Sequence, residues 1–257
     1  PVRRVDGSRP RRTRTFPARP ITSIDAGGRF RDTMKPMSTE TILTIAPTVR
    51  DEDLARAAAV LSNGGILVVP TDTVYGIGCD AANHVAVAEV LAAKGRGRQM
   101  PPPVLVASVD AIDTLCVDVP DAARALARAF WPGALTLILR ARPDLGWDLG
   151  QTAGTIGVRM PNQDALLRLL KEFGPMAVTS ANLTGQPPAT TVEQAVASFG
   201  ARVGAYLDGG PTRGSTASSI IDCAHGEPRA IRLGAISLEE LSSRAGVSIA
   251  PVEVGRA

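Results

Sequence analysis

The apolar runs of this chain are short and punctuated, which restricts its fold more than any other feature. Ile66-Leu67-Val68-Val69 is stopped by Pro70, Val104–Ala107 by Ser108, and Thr155–Met160 by Pro161. Leu135–Leu139 and Met176–Thr179 have similar length. Runs of four to six residues bounded by turn formers predict buried strands. Val203–Leu207, Ser218–Asp222 and Ala230–Leu233 continue the series. Between them lie helical patterns. Leu54, Ala57, Ala58 and Leu61 recur at helical spacing before Gly64-Gly65, with Thr48 and Asp51 predicting the N-terminus. Asn83 caps a second helix that ends at Lys94-Gly95, and Pro120–Phe130 forms a third. Ala165–Phe173 and Val192–Phe199 follow, and Ser237 with Glu240 forms a capping box for the last helix. Strands and helices do not alternate strictly, so the expectation is an α/β fold built on a sheet of mixed direction.

Composition divides the chain. Residues 1–37 hold nine Arg and one Lys against three Asp, a net of +7, so the total of +3 leaves −4 for the rest. The basic pI therefore belongs to the tail, and a nucleic-acid footprint over the whole protein does not follow from it. Residues 1–40 have no apolar period and are expected to be a disordered basic extension; Met34 and Met37 are plausible starts, and an RNA-binding arm is the functional alternative. Residues 41–248 are expected to form one catalytic domain, and 249–257 a tail. No apolar segment follows the basic N-terminus, and no apolar run reaches the roughly eighteen residues of a membrane span. A soluble cytoplasmic protein without a membrane contact is expected. Cys79, Cys116 and Cys223 are far apart and odd in number, which argues against disulfides or a zinc ribbon. With His84 and His225 the only histidines, a histidine metal cluster is excluded.

Five segments carry candidate chemistry. Pro70-Thr71-Asp72-Thr73-Val74-Tyr75-Gly76-Ile77-Gly78 leaves a buried strand, and reads as an exposed polar turn where ligands of open α/β sheets bind, or as a turn stabilised by its own side chains. Gly76 to Ala81 also fits the dinucleotide pattern G-x-G-x-x-G/A. Six residues of polar turn separate it from the strand, and no acidic residue lies about twenty positions on, so a Rossmann site is rejected. Lys94-Gly95-Arg96-Gly97-Arg98 sets three cations among glycines, which suits phosphate oxygens or a solvated basic turn. Val178-Thr179-Ser180-Ala181-Asn182 and Gly214–Asp222, the latter followed by Arg232, bring small polar groups to strand ends. Arg159 lies in an apolar strand and needs a partner, either a bound carboxylate or a structural ion pair.

Taken in order, PTDTVYGIG, AAKGRGR, PVLV, FWPGALTLIL, GVRMP, VTSAN, TGQPP, SSIID and IRLGAIS resemble the threonylcarbamoyl-AMP synthase (YrdC-like) family over about residues 45–245. The resemblance implies a single YrdC-like domain whose twisted mixed sheet, flanked by helices, encloses a deep electropositive cavity. It implies catalysis by Lys94, Arg96, Ser180 and Asn182 around the phosphates of ATP. Ser218 and Arg232 would hold the AMP portion. Thr71, Thr73 and Arg159 would line the threonine pocket, with Arg159 on the substrate carboxylate. Met100 stands where many relatives have Lys, with Arg98 as the available substitute, and Asn162 where many have His.

The implied reaction joins L-threonine, bicarbonate and ATP into threonylcarbamoyl-AMP and pyrophosphate, for threonylcarbamoyladenosine modification of tRNA. Mg²⁺ would arrive with ATP, on phosphate oxygens and not on protein ligands. Partner proteins would transfer the threonylcarbamoyl group to tRNA, with weak RNA binding by the chain itself. Two rivals stand beside this: an RNA-binding module using basic surface and tail, and a carbamoylating domain of the hydrogenase-maturation type.

Overall fold

The computed structural model describes residues 41–46 and 48–252, so the basic extension and the last five residues lie outside the described residues. Ten strands are present among those described: β1 Ile42–Thr44, β2 Leu67–Val69, β3 Gly76–Asp80, β4 Val104–Leu105, β5 Leu135–Arg140, β6 Thr155–Arg159, β7 Met176–Ser180, β8 Ala205–Asp208, β9 Ser219–Asp222 and β10 Arg229–Arg232. The helices are α1 Asp51–Ser62, α2 His84–Ala93, α3 Ala111–Leu115, α4 Asp121–Phe130, α5 Asp164–Phe173, α6 Val192–Phe199 and α7 Leu238–Ala245. The strands form one sheet in the order β1-β8-β2-β3-β7-β4-β6-β5-β9-β10. Its direction is mixed as expected: β2 runs parallel to β8 and antiparallel to β3, and β4 parallel to β6 and antiparallel to β7.

Strand side chains alternate between faces, and the two faces carry different cores. Val68, Ile77, Val104, Ala177 and the β5 leucines Leu135, Leu137 and Leu139 pack on one side with α2, α4 and α6. Leu67, Val69, Leu105, Met176 and Val178 point to the other, under Leu54 and Leu61 of α1 and Leu166 and Leu169 of α5. The second core takes no residue from β5, β6, β9 or β10. On that side β5 and β6 present Thr136, Gly157 and Arg159, and Ser218 precedes β9. The helical cover therefore ends where the polar residues begin, and this shapes the candidate site.

Three details differ from the sequence reading. Thr48 does not cap α1; Arg50 occupies the N-cap and binds Asp53 at 2.7 Å instead. The three-residue β1 and the five-residue α3 carry too little pattern to be anticipated. Gly76–Gly78, read as the end of the turn, belong to β3, a central buried strand between β2 and β7. Its glycines are there for close approach: a Cβ on Gly78 would fall 2.5 Å from the Ala177 carbonyl oxygen, and one on Gly76 2.6 Å from Val178 Cγ1. Close packing of β3 against β7 thus gives the G-x-G pattern a structural cause. Gly78→Ala is expected to destabilise the fold by about 1–3 kcal/mol through overpacking. Urea unfolding with an unshifted midpoint would show that β7 yields freely.

Candidate active site

The turn after β2 is held by its own side chains. Thr71 Oγ1 donates to the Val74 carbonyl (2.6 Å) and accepts from the Thr73 N–H (3.1 Å). Since that uses the single Thr71 hydroxyl proton, Thr73 donates to Thr71 across 2.9 Å. Arg159 Nη1 donates in turn to Thr73 Oγ1 at 3.2 Å. Both threonines are buried, contrary to the exposed turn expected from sequence.

Arg159, 6% exposed, meets Asp72 at 2.7 Å and donates through Nε to the Gly133 carbonyl at 3.0 Å. Asp72 also accepts from the Asn162 N–H at 2.9 Å. The partner that a charge in an apolar strand requires is thus present within the protein. Burial depresses the Arg159 pKa and Asp72 opposes the shift. Sequence reasoning left Asp72 out of the candidate set, although a carboxylate between two threonines was a visible signal.

Lys94 caps the C-terminus of α2 and is 3% exposed. Its ammonium donates to the backbone carbonyls of Ser180 and Asn182, the latter at 2.7 Å. Burial, and then the Arg96 charge, pull its pKa down to about 8. Arg96 Nη1 donates to Thr179 Oγ1 at 2.8 Å, while its buried Nε has no hydrogen-bond partner. A buried donor left unpaired carries a desolvation cost that a hydrogen-bond partner would relieve. Asn182 spends its side-chain amide on its own loop, donating to the carbonyls of Leu183 (2.9 Å) and Gln186 (2.8 Å).

Arg232, at the end of β10, donates to the Ser218 carbonyl through Nη2 (2.8 Å) and Nε (3.1 Å). Ser218 Oγ lies 3.0 Å from Thr136 Oγ1. Desolvation lowers the Arg232 pKa, with smaller contributions from the charges of Arg159 and Arg96. Arg96 thus depresses Lys94, and Arg159 and Arg96 depress Arg232, which links four cations from three separate segments; Asp72 is paired with one of them. The structure brings together the Lys94, Arg96, Ser180 and Asn182 group, the Thr71, Thr73 and Arg159 group, and the Ser218 and Arg232 pair. Arg98 instead makes an exposed ion pair with Asp148 at 2.7 and 3.0 Å.

A separate hollow of about 580 Å³ opens at the opposite end of β5 and β6, lined in part by Arg140, Arg142, Trp147 and Thr155. Its arginines are paired with Asp118 and Asp144, and none of the candidate residues lines it. Among the described residues no group of three or more His, Cys, Asp or Glu could hold a metal ion, and no helix is long and apolar enough to cross a membrane.

The family model Sua5/YciO/YrdC, described as telomere recombination, matches residues 59–234, more than half of the chain and every candidate residue named above. The chain belongs to the Sua5/YciO/YrdC family. A Mycobacterium leprae member, provisionally named threonylcarbamoyl-AMP synthase, is 49% identical over 201 residues, covering 78% of this chain and 91% of its own. The Bacillus subtilis threonylcarbamoyl-AMP synthase is 38% identical over 202 residues; the match covers 77% of this chain but 58% of that longer protein. The crystal structure of Pyrococcus abyssi Sua5 complexed with L-threonine superposes with a TM-score of 0.74 at 31% identity, over 81% of this chain and 62% of that one.

Proposed function

We propose that the chain is a threonylcarbamoyl-AMP synthase, a nucleotidyltransferase that converts L-threonine, bicarbonate and ATP to threonylcarbamoyl-AMP and pyrophosphate. The observation that carries this reading is the convergence of Lys94, Arg96, Arg159 and Arg232, with an unmatched Arg96 Nε, in a chain related to proteins of that name. The product would serve threonylcarbamoyl modification of tRNA, with transfer by partner proteins.

ATP and the N-carboxylate formed from threonine are both anionic, so bringing them together requires cations held in place before binding. The threonine amine adds to bicarbonate with loss of water, giving an N-carboxylate. One of its oxygens attacks the α-phosphorus of ATP, and the bond to the β-phosphate oxygen breaks to release pyrophosphate. Lys94 and Arg96 would face the phosphates, beside Ser180 and Asn182. Ser218 and Arg232 would hold the AMP portion in the deep electropositive cavity that the resemblance implies. Thr71, Thr73 and Arg159 would line the threonine side, with the Asp72 pairing keeping the Arg159 plane fixed while its carboxylate partner arrives. The local donors are cations, hydroxyls and carbonyls, and Asp72 is committed to Arg159. Mg²⁺ therefore fits as an ion carried by ATP oxygens and water. Alignment and charge compensation account for the rate without a dedicated protein base.

The test is incubation with labelled bicarbonate, ATP and each of the twenty amino acids singly. Threonine alone should support a labelled adenylate; equal labelling with several amino acids, or none, overturns the assignment. The lowered Lys94 pKa adds a pH signature. Above about 8 the free enzyme loses that ammonium, so kcat/KM should be flat below and fall above. Lys94→Arg should move the alkaline limb upward, and an unmoved limb would assign it to another group.

A further inference from the structure

Tyr75 occupies a position between three loops that carry candidate residues. Its backbone N–H donates to Ala189 O (2.9 Å) and its carbonyl accepts from the Ala181 N–H (2.7 Å). Those two bonds close the loop that contains Asn182 at both of its ends. The side chain is fully buried and reaches the turn after β8. There its hydroxyl donates to Gly210 O (2.8 Å) and accepts from the Gly209 N–H (3.1 Å). Asp208 Oδ1 braces the same turn by accepting from the Gly210 N–H at 2.9 Å. Gly209 also leans on Pro70, since a Cβ there would fall 2.8 Å from Pro70 Cγ.

The segment that follows is poorly buried. Residues 213–216 are exposed, and the chain becomes buried again at Ser218, which meets Thr136 and Arg232. A solvated loop delivers a side chain accurately only if its ends are fixed. The Thr212 N–H bond to Thr190 O (2.9 Å) and the Tyr75 hydroxyl serve the leading end.

We propose that the Tyr75 hydroxyl is a positioning group for the nucleotide: it pins the Gly209–Gly210 turn and so sets the pose of the loop that brings Ser218 to the AMP portion. This rests on the nucleotide reading given above and assigns Tyr75 no contact with substrate. Burial raises the phenol pKa to about 12, so the proton stays in place at neutral pH and the group acts as a fixed hydrogen-bond donor.

Tyr75→Phe in the full chain removes this clasp and leaves both backbone bonds intact. The KM for ATP should rise about tenfold, the scale of one net hydrogen bond. The kcat should stay within about twofold, and the KM for threonine should not change. Hydrogen exchange should accelerate at residues 209–217 and not at 181–189. An unchanged KM for ATP alongside a lower melting temperature reduces the hydroxyl to a structural role. Loss of kcat at constant KM places it in the chemistry; either result overturns the proposal. Asp208→Ala loosens the same turn from the other side and should reproduce the KM rise; its failure to do so counts against the proposal even if the phenylalanine variant does not fold. A wild-type protein that forms no threonine-dependent adenylate defeats the functional reading instead, and the exchange comparison still reports whether Tyr75 orders the loop.

Discussion

Lys94→Ala lowers threonine-dependent pyrophosphate release by about a hundredfold or more. Removing one preorganised charge from a developing phosphate anion forfeits on the order of 3 kcal/mol of transition-state stabilisation. The site makes this ammonium effective because it is already desolvated: Lys94 is 3% exposed and is held by carbonyls at the end of β7. The kinetic form of the loss is informative. A phosphate contact used mainly in the transition state lowers kcat and kcat/KM together, whereas a contact made equally in the ground state raises KM alone. Lys94→Arg keeps the charge but cannot reproduce the compact fit against the Ser180 and Asn182 carbonyls, so partial activity is expected. Near-normal turnover by the alanine enzyme would falsify the role given to this residue.

Asp72→Ala destabilises the fold by about 3–5 kcal/mol, because it leaves the Arg159 guanidinium buried without its counter-charge. The pair is the most enclosed ion pair of the described chain, with side-chain exposures of 7% and 15%. Removing Asp72 also frees the Asn162 N–H that the same carboxylate accepts. Replacing both partners tests the cause. An Asp72→Ala, Arg159→Met double variant removes the buried charge and should recover much of the stability while losing threonine turnover. If the double variant is no more stable in urea than Asp72→Ala, the loss comes from the turn and not from the unpaired arginine. By comparison, the exposed Arg98–Asp148 pair contributes little, since exposed ion pairs are worth about 0–1 kcal/mol.

Much of the site was legible because its segments share one physical form. A buried strand runs into small polar residues, or a helix ends in spaced cations, and both arrangements survive as local patterns. Val178 to Asn182 and Lys94 to Arg98 are of this kind, and the helix caps at Asn83 and Ser237 are observed where expected. What could not be read locally depended on neighbours distant in sequence. Gly76–Gly78 resembles the end of a turn until β7 lies beside it and forbids a Cβ at Gly78. Arg159 needed a partner, and the Asp72 that pairs with it lies 87 positions away. The Asp148 that pairs with Arg98 lies 50 positions away.

The sequence alone determined the α/β class, the mixed sheet and the family, since periodicity, turn residues and motif order are properties of short stretches. The tertiary structure alone decided which charges are spent and which are left over. Arg159 is answered by Asp72, whereas Arg96 keeps a buried Nε with nothing to donate to. The α1–α5 core stops short of β5, β6 and β9, where Arg159 finds Asp72, while Arg96 leaves the end of α2 and meets Thr179 of β7. Pairing of charges across a sheet depends on distance in space, and no local pattern of residues encodes it.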